Sequence, residues 1–187
     1  MKNNEVKSSE KKFESFYNDV IYFMLYAIIG WIYEVILEAF MWHHGFVNRG
    51  TLFGPWLPVY GFGALIFIFC IYPLIKGKSI KRKLLLIPVI FLGCTLAATT
   101  LEFITAYLCQ WTIGYVPWEY SEYAINFKEI IALIPSIRFG IGGVVFLYIF
   151  QPLFEKICQK LGDKTKVVSY VIIAILVIDA IYSFVLK

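Results

Sequence analysis

Charge is scarce in this chain: among 187 residues, Lys and Arg supply 17 and Asp and Glu 13. Histidine occurs only as the adjacent pair His43 and His44. Two neighbouring imidazoles without further donors at ligand spacing make no zinc site, so no metal is expected. The four cysteines, Cys70, Cys94, Cys109 and Cys158, form no C-x-x-C pair, which argues against both a metal cluster and a disulfide framework. The sequence contains no G-x-x-x-x-G-K-[ST], so the chain cannot hold ATP in a P-loop of its own. Ser-His-Asp and other nucleophile signatures are missing too, leaving no catalytic residue to assign and no cofactor to expect.

Apolar sequence fills the space. Hydrophobic residues make up 60% of the chain and its mean hydropathy is +0.73, above the roughly 45 to 50% apolar content of a soluble domain. A transmembrane helix needs about 20 mostly apolar residues, and five stretches qualify, at 17–42, 54–75, 84–110, 130–154 and 167–186. The expected fold is an all-α polytopic membrane helix bundle of about five transmembrane helices. A polar tail, 1–16, precedes a single transmembrane domain, 17–187. The first apolar run is too long for the core of a cleaved signal peptide, so it reads as a retained anchor.

Thirteen of the 17 basic residues fall in the tail, in the 76–83 loop and in the 156–166 loop. Basic loops stay on the cytoplasmic side, which places the N-terminus inside and the C-terminus outside. The same distribution explains the +4 net charge without nucleic acid.

Five ionisable residues lie well inside the apolar stretches: Glu34, Glu38, Glu102, Arg138 and Asp179. A charge at the bilayer centre costs about 2.5 to 3.5 kcal/mol on insertion scales, so such groups face a bundle interior or wet cavity and pair. Glu34 and Glu38 are four apart and share a helix face. Glu38, nearer the outer end, can simply reach headgroup water. Arginine does not shed its proton, so Arg138 demands a carboxylate or several carbonyls. Counted from their helix ends, all five fall in the outer half of the membrane.

Between the first two helices lies the densest Gly and Pro segment, with Gly45, Gly50, Gly54, Pro55, Pro58, Gly61 and Gly63. Irregular backbone at membrane depth survives only where protein or a watery cavity covers it. Two readings stand: a cavity-lining loop presenting Asn48 and Arg49, or a surface turn into helix two. The later outer loop carries Trp111, Tyr115, Trp118, Tyr120 and Tyr123, a composition that an interfacial aromatic belt explains. Within it, Trp118, Tyr120, Ser121 and Asn126 could instead hold a solute or headgroup. Gly93, Ala97 and Thr100 or Ala98 on helix three and Gly140, Gly142 and Gly143 on helix four would permit close helix packing.

The combination Gly30-Trp31-x-x-Glu34, Asn48-Arg49-Gly50-x-Leu52-x-Gly54-Pro55-x-x-Pro58-x-Tyr60-Gly61-x-Gly63, Leu101-Glu102 and Trp118-x-Tyr120-Ser121 with Asn126 resembles the type IV ABC transporter permease family of small bacterial membrane proteins. The likeness spans about 16–154. It implies motif positions at Glu34, Asn48, Arg49, Glu102, Trp118, Tyr120, Ser121 and Asn126. The family's usual Trp-Asp-Tyr-Ser stands here with Glu119, Glu129-Ile130 replaces a Gly-Arg, and Arg138 occupies a position where tryptophan is more usual.

These readings converge on a permease or small transporter subunit in the bacterial cell membrane. Its outward-facing pocket would be built by Glu34, Asn48, Arg49, Glu102, Trp118, Tyr120, Ser121, Asn126 and Arg138, with Glu38 and Asp179 as accessories. Expected partners are membrane lipids, a separate cytoplasmic ATPase subunit and an unidentified small solute or lipid; homo-oligomerisation is left open. The alternatives are a membrane enzyme acting on a lipid or cell-envelope intermediate, and a non-transporting sensor or assembly factor.

Overall fold

The computed structural model describes residues 2–40, 45–46, 48, 50, 52–112 and 114–186, with side chains from residue 15 to 185. Seven α-helices appear among them: α1 (Lys2–Phe40), α2 (Pro58–Cys70), α3 (Ile80–Leu85), α4 (Ile87–Thr112), α5 (Leu133–Val145), α6 (Gln151–Leu161) and α7 (Lys164–Ile181). The only sheet described is an antiparallel pair, β1 (Asn126–Phe127) and β2 (Ile131–Ala132). The all-α expectation holds.

Four helical segments are long and apolar enough to cross a membrane: Ser15–Phe40, Ile87–Thr112, Leu133–Leu161 and Lys164–Val185. The fifth expected span is shorter, Pro58–Leu74. Gly54 and Pro55 lie in non-helical backbone that postpones its start to Pro58, and at Tyr72–Leu74 it tightens into a 3₁₀ turn around Pro73. At 1.5 Å per residue it reaches about 25 Å, short of a hydrocarbon core of about 30 Å. Large apolar side chains such as Leu92, Leu96, Val171, Ile175 and Ile178 are exposed along the long helices. Water would penalise them, whereas lipid does not.

The chain forms two compact units, residues 1–65 with 152–187 and residues 66–151. In the first, α1 and α6 run antiparallel: the rings of Tyr26 and Phe154 meet edge-on at 5.0 Å and Tyr22 lies beside Cys158. Gly162, at φ 51°, turns the chain into α7, which runs parallel to α1. Ser169 donates to the carbonyl of Tyr17 at 2.7 Å, and the rings of Tyr17 and Tyr170 lie 5.8 Å apart. The helix of α1 starts at Lys2, so residues 2–16 and the apolar run are continuous.

The start of α2 lies against α1 at glycine contacts. A Cβ at Gly30 would overlap the Tyr60 ring, and one at Gly61 would come within 2.6 Å of the Phe23 ring and 2.8 Å of its carbonyl oxygen. The Leu57 amide donates to the Ala27 carbonyl at 2.9 Å.

In the second unit α4 and α5 pack antiparallel. Gly143 sits where a Cβ would be 2.5 Å from that of Cys94, and Gly140 backs onto Thr95 and Phe91. Thr99 donates to Ser136 at 2.9 Å and Tyr148 to the Lys83 carbonyl at 2.7 Å. Two of the three α5 glycines expected to allow close approach therefore do so, while a Cβ on Gly142 would meet open space.

The hairpin turn between β1 and β2 has Lys128 at φ 54° and Glu129 at φ 60°, closed by the Ile130 amide on the Phe127 carbonyl at 3.1 Å. Two successive left-handed residues are what glycine or asparagine relieves. Glu129→Gly should stabilise the protein by about 1 kcal/mol, read from its unfolding midpoint in detergent.

Candidate functional site

Asp179 is bonded at both carboxylate oxygens. Lying on α7 and 8% exposed, it accepts the amides of two consecutive loop residues. Phe53 donates to Oδ1 and Gly54 to Oδ2, both at 3.0 Å. Ser183, one turn further along, donates to Oδ1 at 3.2 Å and accepts the Phe53 amide at 3.1 Å. An irregular Gly/Pro segment has no ladder to satisfy its amides. One carboxylate does that for two of them.

The same loop is tied to α1. Trp31 Nε1 donates to Asn48 Oδ1 at 2.7 Å, and Asn48 Nδ2 donates to the Phe53 carbonyl at 3.1 Å. A turn beyond Trp31, Glu34 accepts the hydroxyl of Tyr60, whose ring lies over Gly30. Glu38 is buried, 4% exposed. Arg49, His43 and His44 lie outside the described residues.

In the second unit Glu102 Oε1 accepts the Tyr120 hydroxyl at 2.6 Å, while Oε2 is buried without a hydrogen-bond partner among the described residues. Tyr120 is itself fixed by its amide on the Glu129 carbonyl at 2.8 Å. Trp118 Nε1 donates to the Ile130 carbonyl at 3.0 Å. Asn126 closes the turn, donating to the Tyr123 carbonyl at 2.8 Å and accepting the Glu129 amide at 3.2 Å. Ser121 is exposed.

Arg138 does not meet Glu102. The face of α5 against α4 carries Ser136, Gly140 and Gly143. Arg138 is two residues beyond Ser136, about 200° around a helix, and so points away from α4. Among the described residues no group of three or more His, Cys, Asp or Glu has the geometry to hold a metal ion.

A family model described as "Putative ABC-transporter type IV" matches residues 21–184. The chain belongs to that family. No curated protein and no solved structure matches it. The family match covers all four membrane-length helices, apart from residues at the chain's extremities, and the protein is an integral membrane protein of this ABC transporter family.

Within the family motif, the structure brings Trp31, Asn48 and the loop backbone together, and Glu34 with Tyr60. It also joins Glu102 to Tyr120, through the hydroxyl of the aromatic outer loop. Three participants escaped sequence reasoning as site residues: Trp31, Tyr60 and Ser183. The first two stood in the motif and could have been suspected as donors to nearby acceptors. Ser183 had one available signal, its i+4 spacing from Asp179.

Proposed function

We propose that this chain is the membrane-spanning permease subunit of an ABC-type transporter, working with a separate cytoplasmic ATPase. The observation that carries this reading is the family match across residues 21–184, in a sequence with no P-loop of its own. In this reading the bundle crosses the bacterial cell membrane five times, with the shorter Pro58–Leu74 helix as one pass. The N-terminus is inside and the C-terminus outside. Support for that orientation comes from the first unit, where Tyr17 on α1 meets Ser169 and Tyr170 on α7. The start of α1 thus shares an end with the Lys156, Lys160, Lys164 and Lys166 loop, in keeping with positive charge on the cytoplasmic side.

Candidates for solute contact are Glu34, Asn48 and Arg49 in the first unit and, separately, Glu102, Trp118, Tyr120, Ser121, Asn126 and Arg138 in the second. Glu102 supports this choice best. A buried carboxylate oxygen without a donor is costly, and a solute carrying an N–H or O–H would satisfy it. The non-transporting reading draws its own support from Asn48, Trp118 and Asn126, whose side chains are occupied in bonds to neighbouring backbone.

Affinity purification of the tagged protein with the products of its neighbouring genes separates the two. The permease reading expects an ATPase to co-purify and to hydrolyse ATP faster in the complex than alone. Repeated recovery of the chain without any ATPase would contradict it and favour the non-transporting role.

A further inference from the structure

The α6 helix has two faces. One carries Phe154 and Cys158, buried against Tyr26 and Tyr22 of α1. The other presents Leu153, Lys156, Ile157 and Lys160, spaced i, i+3, i+4 and i+7, which puts them in one stripe along the helix. With Gln159 these residues line an open groove of about 320 Å³, near the lower end of small-ligand sites. Nothing in the permease reading uses it.

Depth gives the groove its chemistry. The apolar stretch of this pass ends near 154, while the helix runs on to Leu161. At 1.5 Å per residue Leu153 sits at that edge, and Lys156, Ile157 and Lys160 follow about 3 to 9 Å beyond it. The ammonium groups are therefore at headgroup level, while Leu153 meets the start of the acyl chains. Lys164 and Lys166 follow immediately; the nearby acids are Glu155 and Asp163, one on each side of the turn, and Asp19 on α1, which lies close enough to act on Cys158, so the four lysines outnumber them by one. The local field favours an anion.

We infer that this groove binds an anionic phospholipid, its phosphate held by Lys156 and Lys160 on either side of Ile157 and the start of an acyl chain lying along Leu153. An acidic protein segment would match the lysines but would leave Leu153, at the edge of the apolar stretch, without a suitable partner. The inference rests on the membrane-spanning fold and stands whether or not an ATPase is found.

The test is a titration of the detergent-purified full chain with phosphatidylglycerol, phosphatidylcholine or glycerol 1-phosphate, read as thermal stabilisation. Saturable stabilisation by phosphatidylglycerol alone is expected. The K156Q/K160Q variant should weaken the apparent affinity about 25-fold, at about fivefold per lysine near the surface, with its unliganded midpoint unchanged because both side chains are exposed. The K164Q/K166Q variant should keep most of the affinity. Equal stabilisation by phosphatidylcholine, or equal loss in both lysine pairs, would reduce the site to general charge attraction and overturn it. Stabilisation by glycerol 1-phosphate would overturn the acyl contact. Loss of ATPase co-purification in K156Q/K160Q with the lipid titration unaltered would assign the face to a protein and overturn the lipid assignment.

Discussion

Asp179→Ala is expected to cost about 3 to 5 kcal/mol, the largest loss of any single side-chain truncation in the first unit. The carboxylate accepts the Phe53 and Gly54 amides and the Ser183 hydroxyl. Hydrogen bonds to a charged group contribute about 1.5 to 3 kcal/mol each, and an abandoned buried donor adds its own desolvation cost. After truncation Ser183 can still receive the Phe53 amide, but Gly54 keeps no acceptor. Asp179→Asn should fall between wild type and Ala, because one of its two side-chain positions becomes an N–H₂ that repels the Gly54 amide. In a detergent melt the alanine variant should unfold about 10 °C lower. A shift within 2 °C would show that the loop does not depend on this acid.

Gly30→Ala is the second. An added Cβ would occupy the space of the Tyr60 ring at its Cβ and Cγ atoms, which cannot swing aside as a flexible tip could. Overpacking of this kind costs about 1 to 3 kcal/mol. Displacing Tyr60 also withdraws its hydroxyl from Glu34, another 1.5 to 3 kcal/mol or so, against a helix-propensity gain of about 1. The net expectation is a loss of about 2 to 4 kcal/mol. A double-mutant cycle isolates the contact: in a Tyr60→Gly background, which removes the Cβ along with the ring, the same Gly30 change should be neutral or slightly stabilising. An undiminished cost there would place the strain elsewhere.

These two variants show which parts of the chain could be read beforehand. The long apolar helices were legible because periodicity is irrelevant to them: a segment such as 167–186 is apolar on every side, and only a bilayer tolerates that. Helix two was harder, since hydropathy counts Gly54, Pro55 and Leu57 as apolar while their backbone follows the loop. The embedded charges were visible as anomalies, but their partners were not. Asp179 is solved by amides 125 and 126 residues away, and backbone donors carry no mark in a sequence. Glu102 is met by a tyrosine that interfacial composition explained equally well as part of an aromatic belt. Arg138 could be placed on a helix but not on a face, because its orientation depends on which side of α5 the glycines turn toward α4.

Motif conformity has a physical basis in the first unit. Gly30 admits the Tyr60 ring, Tyr60 reaches Glu34, Trp31 holds Asn48, and Asn48 holds the loop whose next two amides end on Asp179. Four separated stretches of sequence thus serve one loop.

Residue-resolved hydrogen exchange in lipid nanodiscs tests that account most directly. The amides of Phe53 and Gly54, outside any helix or strand, should exchange at least about 100-fold more slowly than an open loop, matching some 3 kcal/mol of protection. Asp179→Ala should abolish that protection while the Leu57 amide, bonded to Ala27, stays protected. Rapid exchange of Phe53 and Gly54 in the unmodified protein would contradict the account.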